Sequence, residues 1–411
     1  MGTAVALGVD ALDLPAQPDF ARMRRQRGAR LRSAMADKGL DALILLSNAN
    51  VSYATSSSWP LGDAGRGNVE RPVAVVLADD EMPHLFTPFL ADARVELDLD
   101  DAHLHGPTYL DLHEGVELFA KELRELIPPN AAVAVDDVTG AMHRHHGELF
   151  AEWPPRAASA VMGTVRLTKT IDELACLRHA LWITEQAMAE VQAQLVPGAR
   201  QTDLTATFLH RVFELGAEAS VLDPIWQVMP DHQADLPWTV HGGIPCPLLT
   251  TERALHHGDV LWVDSGISYG GMHSDFGRTW VVGGEPTARQ QSQYERWRDI
   301  NDAVLRVMRA GSTASDLTAA AMEVCDGERP WMEHFYLGHG LGLDGAEAPY
   351  VGTDLGDDYD RRLVLPAGTV QVIEPIVWDE GHSGYRSENV YVVTDEGSVC
   401  LSDYPYDPYG D

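Results

Sequence analysis

The chain is 411 residues long, more than one comfortable core, and its 45% hydrophobic and 22% charged residues suit a globular protein rather than a disordered or membrane-spanning one. Its 62 acidic against 30 basic residues give a formal net charge of -32, a surface that repels nucleic acid and anionic lipid, so partners of both classes are excluded. Cys176, Cys246, Cys325 and Cys400 are widely spaced with no CxxC pair, the opening MGTAVALGVDALDLP has no basic signal-peptide start, and no apolar run is long enough to span a membrane. A cytoplasmic protein with reduced thiols is expected.

Phe20 to Gly39 has helical apolar spacing and stops at Lys38-Gly39. In LDALILLSNANVSYATS a buried run, Ala42 to Leu46, leads through a turn to a second β-like piece, and PVAVVLADDEMPHLFTP reads as strand, acidic turn, strand. HEGVELFAKELRELI is a predicted helix and AAVAVDD a strand. Together they describe a small α/β domain, residues 1–160, closed by Trp153-Pro154-Pro155 and an Ala/Ser-rich stretch. The histidines of AMHRHHGELF have no acids arranged around them and read as an exposed helix face.

The second predicted domain, 161–411, opens with a long amphipathic helix, TKTIDELACLRHALWITEQAMAEVQAQLVPG, started near Thr170 and Asp172 and ended by Pro197-Gly198. Helix QTDLTATFLHRVFELG follows, then a loop-rich aromatic stretch, a hairpin, two helices and a second hairpin.

Both hairpins carry paired acids. Centring the turn of VLWVDSGISYGGMHSDFGRTWVVG between Tyr269 and Gly270 makes Asp264 and Asp275 directly opposed. Centring TVQVIEPIVWDEGHSGYRSENVYVV on Gly381 opposes Glu374 and Glu388. Opposed like charges destabilise a sheet, and apolar neighbours such as Val263, Ile373 and Val390 imply burial, so a cation is expected between the acids. Between the hairpins, LGHGLGLDGAEAPY offers His339 as a neutral nitrogen ligand beside glycines that allow close backbone approach. Four carboxylates and one imidazole suit two divalent ions of the Mn, Fe, Co or Zn kind.

The order Asp264, Asp275, GHGLG, IEP and Glu388 resembles the creatinase/prolidase/methionine-aminopeptidase family of pita-bread metallopeptidases, in its Xaa-Pro peptidase-like branch. LDALILLSNANVSYATS is similar to the start of a creatinase-type N-terminal domain, and RLTKTIDELACLR to its link into the catalytic domain. The resemblance implies an α+β chain: a small N-terminal α/β domain, then a pita-bread catalytic domain with a curved, mostly antiparallel sheet. It also implies that Asp264 chelates one metal, Asp275 and Glu388 bridge both, and His339 and Glu374 complete the other. Glu374 would handle the proton of the attacking water, and Arg386 would orient the bridging carboxylate.

The implied function is hydrolysis of a C–N bond in a small substrate, an Xaa-Pro dipeptide or a related small amide. Two departures from the family pattern bear on substrate. Cys246-Pro247 and Ala346 stand where proline-specific members carry histidines that contact the scissile amide, and His241 is the candidate replacement for the first. One alternative is a metal-dependent lyase resembling the dimethylsulfoniopropionate lyases, although their extra aspartate falls on Gly266 and their base on Gly345 here. Another is a non-catalytic binding protein of the same fold. Trp226, Trp238, Tyr350 and Trp378 are candidate pocket walls, and the resemblance implies a homodimer in which Trp59, Asn68 and Arg71 belong to a loop reaching a partner's site.

Overall fold

A computed structural model describes residues 5–58, 71–235 and 250–410 in full, and residues 238–241 and 244–247 by their backbone. The chain divides into two compact units, Pro18–Arg166 and Met1–Gln17 with Leu167–Asp411.

In the unit Pro18–Arg166, the helix Phe20–Lys38 ends where Gly39 takes a left-handed conformation. Strand β1 (Ala42–Leu45) lies at the centre of a six-stranded sheet, so all four of its residues are buried on both faces. Its neighbours are β2 (Val73–Leu77), β3 (His84–Phe86) and β4 (Leu104–His105) on one side, β5 (Val133–Val135) and β6 (Arg156–Ala157) on the other. Ala42 and Ile44 join Val116, Phe119 and Leu123 of the helix His113–Leu126 in one core layer.

The β-like piece expected after β1 is instead a helix, Asn48–Thr55. Asp136, just past β5, accepts hydrogen bonds from the backbone N–H groups of Leu46 (2.7 Å) and Ser47 (3.2 Å), from the Ser47 hydroxyl (2.8 Å) and from Asn50 Nδ2 (2.8 Å). A carboxylate distant in sequence thus caps the helix start, and burial of Ala49 to Thr55 leaves no exposed face to give a readable period.

In the second unit, Thr170 and Glu173 form a reciprocal capping box that starts the helix Ile171–Gln192. This helix and Gln201–Glu214 pack on a sheet built around β10 (Val260–Tyr269), which pairs with β7 (Ala219–Val228), β11 (Met272–His273) and β12 (Phe276–Val281). Strand β7 corrects the loop expected there. Pro224, exposed residues Leu222 and Asp223, and two register shifts against β10 hide its alternation, as befits an edge strand. Strands β8 (Trp238–His241) and β9 (Ile244–Pro247) form a separate hairpin.

The other sheet runs β14 (Glu347–Val351), β13 (Gly338–Gly340), β15 (Val370–Ile373), β18 (Asn389–Val393), β19 (Ser398–Cys400), every pairing antiparallel. Between β15 and β18 the chain forms the ribbon β16 (Ile376–Trp378) and β17 (Gly384–Arg386). Helices Ala288–Val307 and Ala314–Val324 cover this half through Tyr294, Trp297, Val304 and Leu317.

The register of the first hairpin differs from the expected one. Gly270 and Gly271 both have positive φ, 59° and 73°, making a two-residue turn that pairs Tyr269 with Met272 and Asp264 with Gly277, not with Asp275. The second hairpin keeps the expected register, Ile373 opposite Asn389 and Ile376 opposite Arg386, with Glu374 and Glu388 in the interruption between those pairs.

Candidate metal centre

Asp264 sits mid-strand between Val263 and Ser265, both fully buried, with β10 hydrogen-bonded on both sides. Its position is therefore set by two ladders. Asp275 arrives differently, because Ser274 breaks the β11–β12 edge: its hydroxyl accepts the Ile267 N–H (2.9 Å) and meets Thr184 Oγ1 at 2.7 Å. This pins Ser274 inward and leaves Asp275 facing Asp264 despite the register.

Gly277, opposite Asp264, is required by space. A Cβ there would lie 2.7 Å from Glu388 Cδ, so the missing side chain makes room for that carboxylate. The Glu388 N–H donates to the Gly277 carbonyl at 3.1 Å, the bridge that joins the two sheets at the site. Glu374 is fixed by its N–H donating to the Leu337 carbonyl at 3.0 Å, and His339 lies one residue beyond the neighbouring Gly338 on β13. One ligand atom each from Asp264, Asp275 and Glu388 falls within 4.8 Å of the others.

His339 Nδ1 donates to the Gly340 carbonyl at 2.8 Å, which fixes the ring with Nε2 turned toward the acids. Nε2 stands 3.1 Å from Asp275 Oδ2 and 3.3 Å from Glu374 Oε1. Arg386 contacts three acids at once: Asp264 Oδ2 at 3.1 Å, Glu374 Oε2 at 2.6 Å and Glu388 Oε2 at 2.7 Å. Its guanidinium lies 4.6 Å from the centre of the Trp262 ring.

One guanidinium does not neutralise four carboxylates. Burial raises the Asp264 carboxyl to about 7 against the pull of Arg386, and burial drives Glu388 well above the ordinary range. Burial opposes charge on His339, yet the carboxylates of Asp275 and Glu374 outweigh it and raise the imidazole to about 10. Asp264 Oδ1 and Glu388 Oε1 are buried with no hydrogen-bond partner among the described residues. Orphaned acceptors, an imidazole Nε2 turned among them and four gathered carboxyl groups all fit a divalent cation.

The site opens into a cavity of about 1020 Å³ floored by Asp264, Asp275, His339, Glu374 and Arg386. Leu222, Ile225, Trp262, Met332, Phe335 and Tyr336 supply apolar wall, and Glu333, His334 and Glu380 also line it. Trp262, Phe335 and Tyr336 escaped the sequence reading. Trp262 shares the face of Asp264 by strand alternation, and the aromatic pair directly precedes the LGHG motif, so both signals were available.

Of the other candidates, Ala346 does line the cavity. Tyr350 is not among its lining residues; it donates to the Ala346 carbonyl (2.9 Å) and its ring lies 5.6 Å from that of Tyr336, behind the wall. Trp226 is core, its indole N–H bonded to Thr205, and Trp378 bonds the Asp231 carbonyl and packs behind Trp262 without lining the cavity. Arg71 is half-buried in the other unit. Trp59, Asn68 and the side chains of Trp238 and His241 lie outside the described residues.

Residues 175–395 match the model of metallopeptidase family M24, and residues 27–166 match the creatinase/prolidase N-terminal domain. A probable dipeptidase PepE of Mycobacterium tuberculosis is 29% identical over 390 residues, 94% of this chain and 96% of that protein. An Xaa-Pro dipeptidase of Pyrococcus furiosus is 28% identical over 244 residues, 59% of this chain and 65% of that one. Among solved structures, dipeptidase PepE of Mycobacterium ulcerans aligns at TM-score 0.73 and 25% identity over 95% of this chain and 98% of that one. The prolidase of Thermococcus sibiricus aligns at TM-score 0.74 and 22% identity, covering 94% and 98%.

Proposed function

The chain belongs to metallopeptidase family M24, whose members are metal-dependent hydrolases, and on that premise we propose that it cleaves the amide bond of a small dipeptide-like substrate with two divalent ions held by Asp264, Asp275, His339, Glu374 and Glu388. The observation that carries this reading is the set of orphaned carboxylate oxygens facing one another beneath a large cavity. When bound, the ions polarise the scissile carbonyl and lower the pKa of water in the site.

The chain's own groups do the rest. Arg386 holds Glu374 through Oε2, leaving Oε1 to accept the proton of the attacking water and return it to the departing amine nitrogen as the C–N bond breaks. Asp275 and Glu388, one beside each sheet, would be the carboxylates shared between the two ions. The apolar wall of Trp262, Met332, Phe335 and Tyr336 excludes bulk water and takes the substrate side chain, while Glu333 and Glu380 suit its ammonium end. Ala346 gives the cavity a methyl group where a proline-specific histidine would contact the amide, so compact amides other than Xaa-Pro belong to the substrate range. The lyase alternative requires a base at Gly345, which lines the cavity without a side chain. The reading includes cytoplasmic location and a homodimer, the latter checked by sedimentation velocity of the full chain.

The test is elemental analysis after reconstitution with Mn, Co or Zn, followed by turnover of a dipeptide panel. Two metal equivalents, turnover in the loaded enzyme and its loss in Asp275→Ala are expected. No metal above background, or full activity in Asp275→Ala, would overturn the assignment.

A further inference from the structure

The unit Pro18–Arg166 contains a second group of metal-ligating side chains that the hydrolytic site does not use. Asp80 lies in the turn between β2 and β3, His84 opens β3, and His103 sits just before β4. One ligand atom from each falls within 4.8 Å of the others. Both histidines are buried, and the Asp80 side chain is 32% exposed, so solvent reaches the cluster on that side.

The edges of this triangle have a metal-site scale. Asp80 Oδ2 is 3.0 Å from His103 Nε2 and 3.8 Å from His84 Nε2. Ligands at zinc–nitrogen and zinc–oxygen bond lengths in a tetrahedron lie about 3.3 to 3.5 Å apart, between those two values. Asp80 is pre-positioned, because its other oxygen, Oδ1, accepts the Met82 N–H at 3.0 Å and turns Oδ2 toward the imidazoles.

The far side of each ring is also held. His103 Nδ1 donates to Asp100 Oδ1 at 2.6 Å, which fixes the ring with Nε2 turned toward Asp80. His84 Nδ1 lies 3.0 Å from His105 Nε2, and His105 Nδ1 faces Glu122 Oε2 at 3.8 Å. Without a cation, His103 donates from both ring nitrogens, to Asp100 and to Asp80; a cation among the three would take the place of the Nε2 proton, with Nδ1–H kept toward Asp100. Three ligand atoms within reach of one ion, in a largely buried place, with the Asp100 carboxylate behind the His103 imidazole, match the usual support of a bound cation.

We propose that Asp80, His84 and His103 form a zinc-class binding site, with water as fourth ligand, that ties the β2–β3 turn to the start of β4. Two imidazoles and one carboxylate match the preferences of a borderline divalent ion. The site is structural for its own unit, since binding to the folded state alone raises stability.

The test uses the full-length chain, stripped with chelator and dialysed against zinc. The wild-type chain takes up one more zinc per chain than Asp80→Asn, and zinc raises the melting temperature of the wild type more than that of the variant. Turnover of the metal-loaded Asp80→Asn enzyme stays at the wild-type level. Asp100→Asn, which keeps all three ligands, binds this zinc about 10- to 100-fold more weakly. Should Asp80→Asn fail to fold by circular dichroism, His84→Gln takes its place in the same comparison. Equal zinc counts in wild type and variant overturn the proposal and identify the cluster as a protonated His103 held between Asp80 and Asp100.

Discussion

Arg386 spends one guanidinium on Asp264, Glu374 and Glu388, and its removal leaves three buried acids facing one another. Breaking a buried ion network by deleting one partner costs about 3–5 kcal/mol. The metal-stripped Arg386→Ala chain is therefore expected to unfold at lower urea than wild type, and manganese should narrow the gap by supplying positive charge. Arg386→Lys restores little, since an ammonium cannot reproduce a fork spread over three carboxylates. Equal urea midpoints for stripped wild type and Arg386→Ala would show that the acids are neutralised in another way. Gly277→Ala tests the space beside Glu388: a methyl 2.7 Å from its Cδ must displace the carboxylate. Weaker metal binding with an otherwise intact fold is the expected outcome, read by metal titration and circular dichroism. The acids and His339 were legible in the sequence because their chemistry is costly to bury uncompensated. Trp262 and Tyr336 were legible only by position, beside Asp264 and the LGHG motif, because an aromatic residue by itself carries the same signal whether it lines a cavity or fills a core.

At the scale of elements, a strand's identity was easier to read than its register. Two adjacent glycines allow more than one turn centre, and only the ladder decides which, so Asp264 faces Gly277 while Ser274 brings Asp275 into place by a local break. The second hairpin has one positive-φ glycine at its tip, Gly381, and its register was readable. Helix Asn48–Thr55 escaped because its cap, Asp136, comes from another strand. The C-terminal segment makes an element-scale prediction. Tyr406 and Tyr409 pack with Tyr294 of the helix Ala288–Val307, ring centres 5.6 and 5.7 Å apart, beside Cys400 of β19. Burial raises the Cys400 thiol from 9.0 to about 11 and the Tyr406 hydroxyl from 10.0 to about 12. Both folded values exceed the unfolded ones, so this stability is fully present below pH 9 and is lost as pH rises through 11 to 12. Circular dichroism across that range should show unfolding. Tyr406→Phe removes one titration and should make the alkaline loss less steep; an unchanged slope would assign the loss to other groups.

For the molecule as a whole, the net charge of -32 sets a balance between repulsion and pairing. Exposed pairs such as Arg200–Asp203, Arg211–Glu214 and Arg361–Asp358 gain little in water, and 30 basic residues cannot offset 62 acids however they are arranged. Self-repulsion therefore outweighs surface pairing, and screening should favour the fold. Raising sodium chloride from 0.01 to 0.15 M shortens the screening length from about 30 to about 8 Å. The melting temperature of the metal-stripped chain should rise over that interval, and a fall would show that the pairs dominate. The same field acts on function, because an acid-rich surface around a cavity with Glu333 and Glu380 in its lining concentrates cations near the site. For a substrate carrying a free ammonium group, KM should increase with salt while kcat holds. For an N-acylated analogue the salt dependence should vanish, and persistence of the effect there would place its origin in the protein's stability rather than in attraction of the substrate.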